Sequence, residues 1–314
     1  MVFAAPSTLL VLLASLLSPA VVHASPLLER STTVTAMTAS AETVYTPYAL
    51  FASAAYCPAS ETITWSCGAS CSAISNFVPY GSGGDGDATQ YWYVGYDSTY
   101  FNAIVVAHQG TDPSKILSII DDISFVLEPL DSTLYPGLPS TLKAHSGFQA
   151  THDRAAPGVL AAVQKAMAAT KSTHVVITGH SLGAAIALLD ALYLPLHLPS
   201  GTTFSTAVFG LPRVGNPAFA SYVDAHVTNF AHVTNKKDPV PIVPGRFLGF
   251  AHPSNEKHIV TSGVAAGDWY ACDGQDNTST DCSTGAVPNI FVSSESDHDG
   301  PYGAVYMGGC SGPY

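Results

Sequence analysis

Between residues 174 and 194 an apolar strand pattern gives way to an apolar helix pattern through five residues, Gly179-His180-Ser181-Leu182-Gly183. No other feature restricts the fold as much. His174-Val175-Val176-Ile177-Thr178 reads as a short buried strand, and Ala184 to Leu194 as an apolar helix ended by Pro195. A Gly-x-Ser-x-Gly turn between the two has a definite geometry. Its glycines let the backbone reverse sharply and let strand and helix pack closely, so that the serine hydroxyl projects from the sheet edge. The helix behind it directs amide donors at charge developing there.

The rest of the chain agrees with an α/β architecture. Gln90 to Tyr96 and Ala103 to Ala107 read as neighbouring strands joined by a turn at Asp97-Ser98-Thr99. Phe204 to Gly210 and Phe230 to Thr234 are two further strands, and Leu142 to Ala168 is mostly helical, with Pro157 interrupting it or starting a second helix. Strands alternating with helices imply a mixed or mainly parallel sheet covered on both faces. No repeat, charge run or long linker divides the chain.

Composition narrows the class of partner. Of 314 residues 47% are apolar and 11% charged, which excludes global disorder and is enough for a full core. A net charge of −12 argues against nucleic acid and against an electrostatic hold on anionic lipid, but not against apolar contact with neutral fat.

Export is expected. Leu9 to Leu17 is an apolar run of signal length, too short to span a bilayer, broken by Pro19 and followed by small residues up to Ala24. Residues 1–24 are therefore read as a secretory signal, 25–44 as a pro-segment or flexible N-terminus, and 45–314 as one catalytic domain. No other stretch reaches membrane-spanning length. Cys57, Cys67, Cys71, Cys272, Cys282 and Cys310 in an exported chain read as three disulfides, with 15 possible pairings. Cys67 and Cys71 lack a second pair at metal-ligand spacing, so no metal and no cofactor are expected. Asn277-Thr278-Ser279 is the one glycosylation sequon, in a polar loop where a sugar would be exposed.

A serine hydroxyl needs a base, and the base needs an orienting acid. In α/β-hydrolase order the acid and then the histidine follow the serine. Asp297-His298-Asp299-Gly300, in a late polar loop, supplies the favoured base, while His252 and His258 stay open and His232 sits within a strand pattern. Asp238 is the favoured acid, because it follows a strand and precedes Pro239-Val240-Pro241, which stiffens the chain after it. Asp190 and Asp224 lie in helices and fit less well. The oxyanion donors are assigned to the amides of Leu182 and Thr111, the latter in Ala107-His108-Gln109-Gly110-Thr111 after a strand.

With these residues in view, the sequence from about Tyr45 to Tyr314 resembles the fungal class 3 lipases, a family that includes feruloyl esterases. The elbow is shared. Phe209-Gly210-Leu211-Pro212-Arg213-Val214-Gly215-Asn216 resembles the far more specific Phe-Gly-x-Pro-Arg-x-Gly-Asn segment. Asn235 to Pro244 resembles Asn-x-x-Asp-Pro-Val-Pro, Asp297-His298 with Tyr302-Gly303 the terminal histidine motif, and His145-Ser146-Gly147-Phe148 a segment whose histidine is structural. The resemblance implies an α/β-hydrolase-like fold, a central mixed, mostly parallel sheet covered by helices on both faces. It also implies the pairs Cys57–Cys310, Cys67–Cys71 and Cys272–Cys282. There is one departure: where the family usually has Phe-Arg-Gly-Ser/Thr, this chain has His108-Gln109-Gly110-Thr111.

In that family a lid follows the oxyanion loop. Here it falls at Asp112 to Leu127, with Ile116, Ile119, Ile120 and Ile123 at helical spacing opposite Ser118, Asp121, Asp122 and Ser124. An apolar face on such a flap favours a triacylglycerol lipase, secreted and monomeric, working on an acylglycerol or other ester at a lipid–water interface. A feruloyl or other phenolic-ester esterase is the alternative, and Phe247, Leu248 and Phe250 would line either pocket. A catalytically dead binding protein on the same fold is disfavoured by the presence of all three triad residue types.

Overall fold

The computed structural model describes residues 1–2, 33–112, 115 and 125–313. Residues 3–24 of the signal segment and the four lid isoleucines, Ile116, Ile119, Ile120 and Ile123, lie outside the described residues. The central element is a nine-stranded sheet. Its strands are β1 (Val34–Ala36), β2 (Phe77–Gly83), β3 (Trp92–Asp97), β4 (Ala103–His108), β7 (His174–His180), β8 (Thr203–Phe209), β9 (Phe230–Asn235), β10 (Glu256–Ile259) and β11 (Trp269–Cys272). Two short strands, β5 (Leu127–Pro129) and β6 (Lys143–His145), pair as a separate antiparallel ribbon.

Across the sheet the order is β1-β11-β10-β9-β8-β7-β4-β3-β2. The middle strands β4, β7, β8, β9 and β10 run parallel, and the strands on both flanks are antiparallel. This is the mixed, mostly parallel sheet of an α/β-hydrolase-like fold. β4 and β7 are buried on both faces and carry the apolar cores Ala103–Ala107 and Val175–Ile177, because helices cover both sides of the sheet. Alternate residues still sort by face. Ile104, Val106 and Ile177 join Val159, Val163, Leu188 and Leu189 in one core. Val105, Ala107 and Val176 join Leu50, Phe51 and Phe209 in the other.

Three boundaries differ from the sequence expectation. Pro157 does not interrupt the long helix, which runs from Ser146 to Thr170 with the proline inside it. Ala155, Ala156, Val159 and Val163 are buried on its inner face, and that burial offsets the hydrogen bond a proline removes. Pro195 likewise lies within the elbow helix, Leu182–His197, instead of ending it. The folded body also begins before Tyr45. β1 adds to the sheet edge on β11, and the Glu42 carboxylate is buried, accepting a hydrogen bond from the Trp269 amide at 3.2 Å.

The chain is stapled at Cys57–Cys310, Cys67–Cys71 and Cys272–Cys282, the pairs the family resemblance implied. The sequon is a correction. Asn277 is only 3% exposed, and its side-chain nitrogen donates to the carbonyls of Thr33 and Asp273. The atom a glycan would need is thus already engaged inside the loop. Among the described residues, Glu256, Cys272 and Cys282 bring metal-ligand atom types together, but both sulfurs are spent in a disulfide and offer no thiolate.

Candidate active site

Parallel strands end at one edge, and the chemistry-bearing loops leave from it. β7 ends in the elbow, β4 in Gln109-Gly110-Thr111, and β9 in Lys236-Lys237-Asp238. Ser181 sits between strand and helix with φ +59° and ψ −127°, a conformation that a non-glycine residue holds only under constraint. The constraint is visible. Ser181 N donates to Phe209 O at 2.9 Å, and Ala184 N donates to Ser181 O at 2.9 Å. A Cβ on Gly179 would lie 2.3 Å from Gly183 O, and one on Gly183 would lie 2.3 Å from His108 O. The elbow thus closes only with glycine at both places, and its helix packs directly on the oxyanion loop.

Asp238 and His298 meet although 60 residues apart: His298 Nδ1 lies 2.8 Å from Asp238 Oδ2, and both side chains are buried. A carboxylate only accepts, so Nδ1 carries the proton. His298 Nε2, the atom a general base must offer, has no hydrogen-bond partner among the described residues. Asp238 is held from its other side, where Oδ1 accepts from Val240 N at 2.8 Å. The stiff Pro-Val-Pro segment therefore fixes the carboxylate through a backbone amide.

The other candidate bases are engaged elsewhere. His252 Nε2 donates to Pro241 O at 2.7 Å, His232 Nε2 to Pro253 O at 3.1 Å, and His258 Nδ1 pairs with Thr234 Oγ1 at 2.8 Å. His145 caps the long helix, its Nδ1 accepting from Gly147 N and Phe148 N. Asp224 bonds Ser254 on the surface. Of the apolar segment after Asp238, Phe250 is buried beside His145, whereas Phe247 is 90% exposed.

Three contributions were not read from the sequence. The first is a hydrogen-bond chain through the elbow's own histidine. His180 Nε2 lies 2.8 Å from the His298 carbonyl, which only accepts, so Nε2 bears the proton and Nδ1 accepts from the Tyr56 hydroxyl at 2.6 Å. The Tyr56 hydroxyl also packs against Gly110, where an added Cβ would lie 2.2 Å from it. Bonds thus join Tyr56, the elbow and the loop that carries His298, with Tyr56 packed against the Gly110 loop. The second is Gly210, at φ +55°: a Cβ there would meet His298 Cε1 at 2.8 Å and the Tyr302 hydroxyl at 2.9 Å. The glycine of Phe-Gly-x-Pro-Arg makes room for the imidazole. The third is Arg213, whose guanidinium bonds Asp276, the carbonyls of Ile242 and Pro244, and Thr284, bracing the loop behind Asp238.

The oxyanion loop is tied down without the family's arginine. Gln109 exchanges two bonds with Tyr91, its amide donating to Tyr91 O at 2.8 Å and its Oε1 accepting from Tyr91 N at 2.8 Å. Gln90 Nε2 donates to Gly110 O at 3.1 Å. Gly110 lies against Ser181, since a Cβ on it would be 2.9 Å from Ser181 Cβ. Thr111 and Ser181 are both buried, 7% and 4% exposed, so a charge forming between them is screened little by water.

Buried histidines make the fold sensitive to acid. Burial lowers the pKa of His180, His232, His252 and His258, those of His180 and His252 well below the ordinary value, with neighbouring His298 and His232 respectively adding to the effect. Such groups stay neutral in the folded chain while unfolded histidine takes up a proton near pH 6.5, so stability falls as pH drops below about 6.5. His152 works the other way: burial opposes its charge, but hydrogen bonds to Asp153 and Asp190 outweigh burial and raise its pKa. The four depressed groups outnumber it. Denaturant midpoints measured from pH 8 to pH 5 are expected to decrease steadily below about 6.5.

Comparison with known proteins agrees with this arrangement. The class 3 lipase family model matches residues 105–248. The secreted mono- and diacylglycerol lipase MDL4 of Malassezia globosa is 34% identical over 238 residues, spanning 72% of this chain and 75% of that protein. MDL3 of the same organism is 36% identical, spanning 73% and 76%. Among solved structures, lipase II from Rhizopus niveus superposes with a TM-score of 0.75 at 29% identity, covering 88% of this chain and all of that one. The Rhizomucor miehei triacylglyceride lipase gives 0.74 at 27% identity and covers 89% of this chain. This chain belongs to the class 3 lipase family.

Proposed function

We propose that this chain hydrolyses acylglycerol esters through an acyl-enzyme on Ser181, with His298 as general base and Asp238 as its orienting acid. The observation that carries the reading is the Asp238–His298 bond, which leaves Nε2 as the free basic atom of a ring packed 4.4 Å from that of His180, the residue before the strained elbow serine. The Ser181 hydroxyl attacks the ester carbonyl while His298 Nε2 takes its proton. The oxyanion that forms is met by the amides of Leu182 and Thr111. His298 then returns the proton to the leaving glyceride oxygen. Water repeats the cycle on the acyl-enzyme and releases fatty acid.

The enzyme is a secreted serine ester hydrolase, as its named relatives are. Among the described residues no helix is long and apolar enough to cross a membrane. Contact with lipid is then a surface event, and the net charge of −12 favours an uncharged surface. We assign residues 112–127 as the lid on the spacing of Ile116, Ile119, Ile120 and Ile123, and we propose a monomer. The phenolic-ester alternative is not favoured, since the curated relatives are named as acylglycerol lipases.

A substrate panel tests the reading. Emulsified mono-, di- and triolein are compared with methyl ferulate at equal enzyme. Fatty-acid release from at least one glyceride is expected to exceed ferulate release by roughly 100-fold or more, the order that separates a matched substrate from a mismatched one. Preferential cleavage of methyl ferulate would overturn the acylglycerol assignment while leaving the triad untouched.

A further inference from the structure

His108 ends β4 and stands immediately before the oxyanion loop, at the position where the resemblance gives phenylalanine. Its Nε2 lies 2.6 Å from Asp190 Oδ2, with side chains only 1% and 0% exposed. Asp190 is in the elbow helix, two turns beyond Leu182. Its second oxygen takes His152 Nε2, from the long helix, at 3.0 Å. His152 Nδ1 then lies 3.2 Å from the Tyr135 hydroxyl. A carboxylate only accepts, so both imidazoles turn an N–H toward it.

The surroundings are apolar. Val106, Ala155, Ala156, Leu188, Leu189 and Tyr193 of the same elements are core residues. Stability alone does not ask for a carboxylate there, because apolar side chains of similar volume usually do as well or better. What the polar set adds is short, directional contact. Burial works to raise the Asp190 pKa, but the bonds and charge of His108 and His152 outweigh it and hold it at about 2. The carboxylate is therefore ionised at neutral pH, and its bonds are charge-assisted.

The backbone shows what these contacts hold. His108 O sits against the first turn of the elbow helix, where a Cβ on Gly183 would be 2.3 Å away, and Gln109 O is as close as 2.6 Å. The two oxyanion donors belong to these two segments. Thr111 is three residues beyond His108, and Leu182 opens the helix that carries Asp190. We infer that His108, Asp190 and His152 form a clamp that fixes the spacing of the Thr111 and Leu182 amides, in a chain whose oxyanion loop lacks the family's arginine. None of the three touches the reacting atoms. They are positioning residues, and the inference rests on Ser181 being the nucleophile.

Positioning predicts a loss in kcat, not in binding. The parent, His108→Leu, His108→Gln and the double variant His108→Leu with Asp190→Leu are compared on a dissolved short-chain ester. Rates are expressed per serine titrated by an active-site phosphonate, which removes any unfolded fraction. His108→Leu is expected to lower kcat roughly 10- to 100-fold, as misplacement by a fraction of an ångström does, with KM within about twofold. A trifluoromethyl ketone, whose serine adduct carries the oxyanion, should lose affinity by the same factor. His108→Gln keeps a donor near Nε2 and should recover kcat to within about threefold of the parent. The double variant removes the buried carboxylate together with its His108 partner and leaves His152 its contacts with Tyr135 and Asp153, and its titrated, folded fraction should show the same loss. A folded, fully titrated double variant with the parent's kcat and ketone affinity would overturn the clamp. Failure of the phosphonate to titrate the parent would instead overturn the Ser181 assignment.

Discussion

Ser181→Ala is expected to lower kcat on every ester the enzyme cleaves by roughly 10⁶, with little change in thermal stability. The substitution removes one oxygen from a residue that is 4% exposed and keeps the Cβ that packs beside Gly110. The strained φ is imposed by the strand, the helix and the Phe209 carbonyl, none of which the hydroxyl supports. His298→Ala should fall by a similar factor, because the base and nucleophile act as a unit. The double variant should then be no worse than either single one. The measurement is kcat on a dissolved short-chain ester, alongside near-ultraviolet circular dichroism. Retention of most activity by His298→Ala would reopen the choice of base.

Asp238→Asn is expected to show the second large effect, a loss of roughly 10⁴ in kcat with the fold retained. The local bonds explain why so small a change matters. The Val240 amide needs an acceptor, and Asp238 Oδ1 supplies it at 2.8 Å. An asparagine satisfies that amide with its carbonyl oxygen, which leaves its NH₂ group facing His298 Nδ1. The imidazole must then accept at Nδ1 and carry its proton on Nε2, the wrong tautomer for a base. Binding is not involved, so KM should stay within about threefold. A loss below about tenfold would mean that another carboxylate orients His298.

How much of this was legible in the sequence follows the range of each contact. The elbow was readable because strand, turn and helix are consecutive, and the glycine requirement is met within five residues. The stiff turn after Asp238 was readable for the same reason. The choice among His252, His258 and His298 was not settled by the residues alone, since it depends on which loop returns to the end of β9. Its late polar loop and the terminal histidine motif favoured His298 beforehand. The Tyr56–His180 bond spans 124 residues, and the His108–Asp190 bond spans 82, with no local pattern to announce either. Asp190 was weighed as a possible acid and set aside because it is helical. That judgement was physically sound, yet the residue bonds two histidines in the core. Pro157 and Pro195 misled in the ordinary way, because tertiary burial outweighs local propensity when a helix face is packed. Asn277 misled because a polar loop can still turn its amide inward.

The most direct test of the account is active-site labelling with a lipid-like phosphonate, followed by mass spectrometry of the intact chain and of its peptides. The account predicts one phosphonyl group per chain, on the peptide that contains Ser181, with hydrolysis of acylglycerol lost in proportion to labelling. Ser181→Ala should take up none. Label on a different residue, or full acylglycerol activity after complete labelling of Ser181, would contradict it.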